Sequence, residues 1–415
     1  MTTASDVDAI VKESWPERRV ADTAYEVSPL LAMLPKSTDF VEKKWHIPVQ
    51  IGRSGGRSAD YATARTQGIA VGPVYADFEV PLVSDHKYGR IDNITIERAR
   101  SGSPEMLVDA VERELKQAIL SLGTSLSHEL YRDGNGVLGT IASASTAATT
   151  ITVGTGQAYN FEVGDEVVGS QTLGGALRDS GASATVTGVD LAAGTITTDS
   201  NWSTQISGLA QNDYLYIKGD AANNGGTPLK VSGLGAWNPY GTPAALHGVT
   251  RTSFPERYAG VRLNGSSEAD VKTAIIKLLT RMNNSAGSRL MAKDMAIFMH
   301  GNDFENLQID LQGDRTYQGF KAEGADISFE ALMFNSPFGR LRVFTDKFCE
   351  ERYSRVVNLK NMKLRTLGPG PKLWKGDGQE LDRIDDADST AYRANYRGNL
   401  GCLDPSTNGV VYVPA

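Results

Sequence analysis

The residues best suited to metal binding or acid–base chemistry are five histidines, and they are scattered along the chain. No pair has the spacing of the H-E-x-x-H zinc motif, in which two histidines lie one helical turn apart. His128 is followed by Glu129, but the second histidine of the motif is missing. The two cysteines, Cys349 and Cys402, also lack metal-ligand spacing. We therefore predict no metal centre.

A glycine-rich segment in the first half of the chain matches parts of two ligand-binding motifs. Gly134, Gly136 and Gly139 fit the G-x-G-x-x-G pattern that holds a dinucleotide pyrophosphate. That chemistry needs the glycines between a strand and the start of a helix, whereas these follow a predicted helix. The segment also begins like a calcium loop, but Val137 takes the third ligand position and Ala144 replaces the closing glutamate. The sequence predicts no bound cofactor.

Sequence signals for catalysis are equally weak. The chain contains no phosphate-binding P-loop of the G-x-x-x-x-G-K-[ST] type. No spacing of acidic residues indicates the paired carboxylates of a glycoside-hydrolase cleft. These patterns predict no catalytic residues and argue against an enzyme.

The composition of the chain narrows the remaining classes of protein. The chain has 415 residues, more than one ordinary domain needs, and its formal net charge of −7 argues against a general nucleic-acid binder. No apolar run approaches the roughly 18 residues of a membrane span. With two cysteines and no secretory signal, a reducing cytosol is the expected compartment.

The strongest predicted element is a long amphipathic helix over residues 103–133. Ser103 can cap its first turn, Pro104 suits the first helical position, and Gly134 is a typical stop. Apolar residues recur at spacings of three and four, which predicts one buried stripe: Leu107, Val111, Leu115, Ala118, Leu122, Leu126 and Leu130. At about 1.5 Å per residue, the helix would extend roughly 45 Å.

Two segments before this helix have no means of forming a core of their own. Residues 1–45 include a short predicted helix at 6–15 and the apolar patch "SPLLAMLPKSTDF", which should pack on the main body or on a neighbouring subunit. Between predicted strands, residues 52–72 contain five glycines and three arginines but no lysine. We interpret this second segment as a long protruding hairpin.

The rest of the chain alternates between strands and helices. Residues 141–222 are rich in Thr, Ser, Val and Gly, which predicts an inserted antiparallel β-barrel or sandwich. A helix follows, with Ser267 and Asp270 as its capping pair and a predicted buried face of Val271, Ala274, Ile275, Leu278, Leu279 and Met282. "DMAIFMH" predicts a buried strand, and "GNDFENLQIDLQ" a short helix capped by Asn302 or Asp303.

Charge is segregated near the C-terminus. Residues 340–375 carry ten basic and three acidic side chains, whereas 377–388 carry six acids and one arginine. This pattern fits either a solvated surface or complementary edges that meet between subunits, and the sequence leaves both open.

Several segments together resemble a known family. "SPLLAMLPKSTDF", "WHIPVQ", "LYRDGNGVLGTI" and the closing "YRANYRGNLGCLDP" are similar to the major capsid proteins of tailed bacteriophages, which have the Hong Kong 97-like fold. The order of elements is similar as well. The resemblance implies an α+β chain with an N-terminal arm (1–45), an E-loop (46–90), a peripheral domain with the spine helix (91–140), a β-rich insertion domain (141–222), an axial domain (223–335) and returning strands (336–415).

The resemblance implies a structural subunit of an icosahedral phage head, made in the host bacterial cytoplasm and located in the virion. Such subunits form hexamers and pentamers around double-stranded DNA, without sequence-specific DNA binding. The implied partners are other copies of the chain, a separate scaffolding protein and a portal, with a decoration protein as an optional fourth. The implied assembly contacts are Leu30, Leu31, Met33, Leu34, Arg53, Arg57, Tyr61 and Arg65.

One family feature is not expected here, and two other functions stay open. Some family members crosslink their shells through an E-loop lysine, and the absence of lysine from residues 52–72 predicts no such crosslink. The first alternative function is an encapsulin-like compartment of the same fold that encloses protein cargo. The second is a glycan-binding or hydrolytic virion protein that uses the β-rich segment as its binding module.

Overall fold

The computed structural model describes residues 20, 23–25, 27–50, 56–70, 75–92, 104–221, 227–311, 320–321, 330–368, 370–374, 381–383 and 389–414. Helices and strands both contribute, in agreement with the predicted α+β class. The α-helices bounded within these residues are α1 (Pro29–Met33), α2 (Tyr61–Ala70), α3 (Pro104–Glu129), α4 (Trp202–Gln205), α5 (Leu234–Trp237), α6 (Pro255–Ala259), α7 (Val271–Ala286) and α8 (Gly301–Leu311).

The strands form four sheets. In chain order they are β1 (Lys36–Ser37), β2 (Lys44–Gln50), β3 (Tyr75–Pro81), β4 (Val83–Asp92), β5 (Val137–Thr140), β6 (Thr150–Thr152), β7 (Glu166–Ser170), β8 (Ala184–Asp190), β9 (Thr195–Thr198), β10 (Tyr214–Ile217), β11 (Val261–Asn264), β12 (Met295–Met299), β13 (Phe320–Lys321), β14 (Glu330–Ser336), β15 (Gly339–Thr345), β16 (Tyr353–Asn358), β17 (Met362–Thr366), β18 (Lys372–Leu373), β19 (Leu381–Arg383), β20 (Ser389–Cys402) and β21 (Gly409–Tyr412).

The first sheet is organised around β20, the longest described strand. This strand contains most of the family-like motif "YRANYRGNLGCLDP". β17, β18 and β19 pair with successive parts of one edge of β20, and β4 pairs antiparallel along the other edge. The long helix α3 packs on β4 and β20. Its predicted apolar stripe is confirmed from Leu115 onward, because Leu115, Ala118, Leu122, Leu126 and Leu130 are buried in the largest core.

α3 ends at Glu129, four residues before the predicted end at Asp133. Leu130 still donates its N–H to the carbonyl oxygen of Leu126, but Tyr131 and Arg132 donate to carbonyls only three residues back. The carbonyls left over at this end are capped from far along the chain. Residues 233–235 run across the helix end, and the N–H of Leu234 lies 2.7 Å from the carbonyl oxygen of Leu130.

Residues 137–217 form a separate six-stranded antiparallel sheet with its own hydrophobic core. The strand order is β5-β10-β7-β8-β9-β6. A bridge between Ile141 and Val153 then joins the two outer strands. The sheet therefore closes on itself, and we call this unit the β-barrel. It lies within the segment predicted to be β-rich.

A seven-stranded sheet holds the third core, in the order β11-β21-β16-β12-β15-β14-β13. The predicted buried strand "DMAIFMH" is confirmed as β12, and all six predicted apolar residues of α7 are buried beside it. The predicted caps need correction. Asp270 is the N-cap of α7 and accepts the N–H of Thr273 at 2.6 Å, while Asp310 accepts the N–H groups of Val271 and Lys272, so Ser267 is not the cap. α8 begins at Gly301, so Asn302 and Asp303 lie inside it.

Residues 336–415 are predicted to be strands that return from the axial domain to the periphery, and the strands described there divide between two sheets. β15, β16 and β21 belong to the seven-stranded sheet, whereas β17 to β20 pair around the long strand beside α3. Other predictions lie outside the described residues: the helix at 6–15, the cap Ser103, the side chains of Leu107 and Val111, and the side chains of the acidic stretch 377–388.

Candidate assembly surface

The ribbon β2–β3 holds the segment predicted to protrude. Its strands pair antiparallel over their full length, from Lys44 opposite Pro81 to Gln50 opposite Tyr75. Alternate residues of β2 point inward, so Trp45, Ile47 and Val49 are buried in the largest core. The base of the ribbon is therefore fixed to the body of its own chain.

The inner face of the ribbon explains this anchoring. The ring of Phe78 lies 5.2 Å from the ring of Trp237, and the guanidinium of Arg365 lies 4.5 Å from the ring of Trp45. On the outer face, cross-strand ion pairs join Lys44 to Glu79 and His46 to Asp77. The hydrogen bond that the His46 ring donates to the carboxylate of Asp77 raises the pKa of His46 above its usual value.

The end of the ribbon carries a helix where the sequence predicted a plain hairpin. Asp60 caps α2 by accepting the N–H of Thr63 at 2.8 Å, a signal that the glycine-rich reading of this segment overlooked. None of the side chains described for residues 61–68 is buried, and Tyr61 is 80% exposed. Arg57 and Arg65 are exposed near it, whereas Arg53 lies outside the described residues. We call residues 56–70 the ribbon tip.

The apolar patch of the N-terminal arm is in a different environment. Leu30, Leu31 and Leu34 were predicted to be assembly contacts, but they are almost fully buried in the largest core of this same chain. Met33 packs against that core and is partly buried. The patch therefore packs on the main body, one of its two predicted placements, and the three leucines keep almost no surface for contact with a neighbouring subunit.

A buried carboxylate holds this arm in place. Asp346 directly follows β15 and accepts hydrogen bonds from the hydroxyls of Ser28 and Tyr131, the second at 2.9 Å. It also accepts backbone N–H groups from Phe348 and from Leu30, in the first turn of α1. Ser28 makes no side-chain cap of its own, so Asp346 serves as the cap of α1 from a distant part of the chain.

The described residues contain little that could do chemistry. Burial lowers the pKa of His128 well below its usual value and that of His247 to about 4. Burial also raises the pKa of both cysteine thiols, which leaves them protonated at neutral pH. No group of three or more His, Cys, Asp or Glu side chains among these residues is placed to hold a metal ion. No described helix is both long and apolar enough to span a bilayer.

Each of the larger clefts of the described part includes an ion pair. One of them, beside the barrel, is lined by Tyr131, Arg132, Glu350, Tyr353 and Arg355 among others. Within it, Glu350 forms ion pairs with both Arg132 and Arg355. The two arginines lower the pKa of Glu350 despite its burial, so the three groups stabilise one another's charges. They act as a structural ion group and leave no free nucleophile or base.

The similarity of this chain to known proteins lies in its fold. No protein-family model matches the sequence, and no curated protein does. Among solved structures, the chain is similar to the cyanophage A-1(L) capsid, with a TM-score of 0.52, 12% identity, and coverage of 93% of this chain and 92% of that one. The chain therefore has the fold of a phage major capsid protein.

Two further solved structures align more loosely and add no weight to this assignment. The capsid of an empty GTA particle aligns at a TM-score of 0.45 and 8% identity, with coverage of 94% of this chain and 97% of that one. A structure of Mycobacterium phage Che8 aligns at 0.40 and 9% identity, covering 92% and 90%. The fold predicted from the resemblance is confirmed at the level of the phage capsid class.

Proposed function

We propose that this protein is the structural subunit of the head shell of a tailed phage. The observation that carries the proposal is the shared fold with the cyanophage A-1(L) capsid over 93% of the chain. In this proposal the subunits form hexamers and pentamers that enclose double-stranded DNA in the virion, with help from a scaffolding protein and a portal. The negative net charge fits a shell that encloses DNA without gripping its phosphates.

The ribbon tip is the part of the chain best placed to contact a second copy. A ten-residue helix is marginally stable alone in water, and α2 buries none of its described side chains in its own subunit. Tyrosine and arginine, its largest exposed side chains, are also the residues that contribute most at protein interfaces. We infer that Arg57, Tyr61 and Arg65 contact a neighbouring subunit.

Substitutions at the tip test this inference. Tyr61→Ala or Arg65→Glu is expected to raise the subunit concentration needed for assembly about tenfold, which is the effect of losing one strong interface contact. The thermal midpoint of the isolated chain should not change, because neither side chain packs within it. Light scattering and sedimentation measure assembly.

Two matched variants serve as controls for the tip. Arg65→Lys keeps the charge and should assemble nearly normally. Tyr159→Ala removes a half-exposed tyrosine from the β-barrel and should leave assembly unchanged. Normal assembly of both Tyr61→Ala and Arg65→Glu would show that the tip is not a contact.

We propose a stabilising role for the β-barrel. Its core is separate from the two larger ones, so its removal leaves them intact. Replacing residues 137–219 by a short Gly-Ser linker is expected to lower the temperature at which assembled particles break down, while the remaining chain still folds. Calorimetry of purified particles measures this, and unchanged particle stability would refute the role.

Electron microscopy of the chain, expressed alone and with its neighbouring genes, tests the main proposal. Closed shells, or rings of five and six subunits, are the expected products of one or both conditions. Persistent monomers in both conditions would overturn the proposal. The enclosed material separates the alternatives, because a phage head holds DNA and an encapsulin-like compartment holds protein.

A further inference from the structure

The β-barrel joins the rest of the molecule at a cluster of buried charges. Glu129 is the last residue of α3, Asp85 lies on β4, Asp220 follows the last strand of the barrel, and Lys230 lies on the returning chain. We call these four residues the junction cluster. The Nζ atom of Lys230 lies 3.0 Å from Oδ1 of Asp85 and 3.0 Å from Oδ2 of Asp220. We call residues 218–221 and 227–230 the neck of the β-barrel. The ammonium of Lys230 thus joins this neck to the sheet under α3.

Glu129 is the incomplete member of this cluster. Its side chain is only 5% exposed, and its Oε2 atom has no hydrogen-bond partner among the described residues. The hydroxyl of Tyr396 is also buried without a described partner. Both residues line a narrow cavity of about 10 Å³, together with Asp85 and Lys230. A cavity of that size has room for about one water molecule, so bulk water cannot hydrate a charge on Glu129.

The neighbours of Glu129 do not supply a second close cation. His128 lies 3.6 Å away, but burial keeps it neutral, and its Nε2 atom accepts a hydrogen bond from Arg132. The guanidinium of Arg132 is bound to Glu350 on the far side. Asp133 adds a further negative charge near the helix end. Full ionisation would therefore place three cluster carboxylates against one ammonium.

Burial has the largest influence on the pKa of two acids in the cluster, Glu129 and Asp220. It raises the pKa of Glu129 to about 8 and the pKa of Asp220 to about 6. Burial alone would lower the pKa of Lys230, but the surrounding carboxylates outweigh it and raise that pKa. At neutral pH the cluster therefore holds a protonated Glu129 and a charged Lys230.

We propose that the junction cluster is a proton-controlled latch that fastens the neck of the β-barrel to α3 while Glu129 is protonated and releases it when Glu129 ionises. Ionisation adds an unhydrated charge beside Asp85 and Asp220. Because Asp220 lies on the chain leaving the barrel, the repulsion acts on the neck. The latch is a property of the single subunit and does not depend on the proposed shell function.

The direction of the pH effect follows from the shift of Glu129. Its pKa is about 8 in the folded chain against an ordinary value of 4.5, so the closed junction binds a proton that the open junction loses. The stabilisation is complete below pH 4.5 and disappears as the pH rises through 8. Between pH 6 and pH 9 the opening equilibrium should increase about a hundredfold.

Hydrogen exchange in the full chain measures this opening. After correction for the intrinsic pH dependence of exchange, the backbone amides of residues 218–221 and 227–232 should show the hundredfold increase. Glu129→Gln keeps the shape of the protonated acid without its titration, and it should flatten the pH dependence to within a few-fold. Asp199→Asn changes an exposed acid on the same barrel and should behave like the wild type.

Proteolysis of the neck gives a second readout, because an open neck is cut faster. Wild-type cleavage within residues 218–221 and 227–230 should accelerate from pH 6 to pH 9 relative to an unstructured reference peptide, and cleavage of Glu129→Gln should not. Retention of the full wild-type pH dependence in Glu129→Gln would overturn the latch. Equal loosening of the barrel core and the neck would also overturn it.

Discussion

Replacement of Gly233 by alanine is expected to leave most of the expressed protein unfolded and insoluble. Residue 233 crosses the end of α3 so closely that a Cβ atom would overlap the carbonyl oxygens of Glu129 and Leu130. Its backbone angles suit any residue, so the problem is space alone. The overlap would also break the bonds by which Leu234 and Gly235 cap the helix. We expect a loss of about 3–5 kcal/mol from overpacking and the lost caps.

Gly241→Ala is the matched control, because no atom lies within 4 Å of the position its Cβ would take. It should change the free energy of unfolding by no more than about 0.5 kcal/mol. Soluble yield and the thermal midpoint, measured side by side, compare the two variants. Similar midpoints would mean that the segment 233–235 can move away from α3 at little cost.

The periodic elements could be predicted from the sequence because their signals are local. The spacing of the apolar residues alone predicts one buried face on α3 and one on α7, and the described residues of both faces are buried. The β-rich character of the barrel segment could be predicted from its composition, because that signal is also local in sequence. In each case the residues that decide the structure lie within a few positions of one another.

The errors arise where the deciding group is far away in sequence. α3 stops at Glu129 because residues 234 and 235 supply its caps, and no pattern near residue 129 contains that information. The junction cluster was missed for the same reason, since its ammonium at Lys230 meets acids from three separate segments. The ribbon tip differs, because a local cap at Asp60 was present and the surrounding glycines obscured it.

The arm shows how such a distant contact can change the interpretation of a segment. A run of leucines between two prolines predicts a patch that packs either on the main body or on a neighbouring subunit. The partner is Asp346 and the core beneath it, 318 residues from Ser28. The assembly surface of this chain is therefore better sought at polar and aromatic groups such as the ribbon tip than at its most apolar segment.

Substitution of Asp346 by alanine should release the arm. The change leaves the hydroxyls of Ser28 and Tyr131 and the N–H groups of Leu30 and Phe348 without their acceptor. Hydrogen bonds to a buried charged group contribute about 1.5–3 kcal/mol each, with strong coupling between them. We expect a net loss of about 3 kcal/mol in the free energy of unfolding and rapid hydrogen exchange over residues 28–34.

Asp346→Asn separates the roles of the acceptor and of the packed volume. The amide fills the same space but accepts at one oxygen only, so its loss should fall between the wild type and the alanine variant. Asp199→Asn, on the exposed surface of the β-barrel, controls for the loss of one negative charge and should be neutral. If exchange at residues 28–34 stays slow in Asp346→Ala, burial of Leu30 and Leu31 alone holds the arm. The apolar patch would then be anchored by its own packing, and the cap would be dispensable.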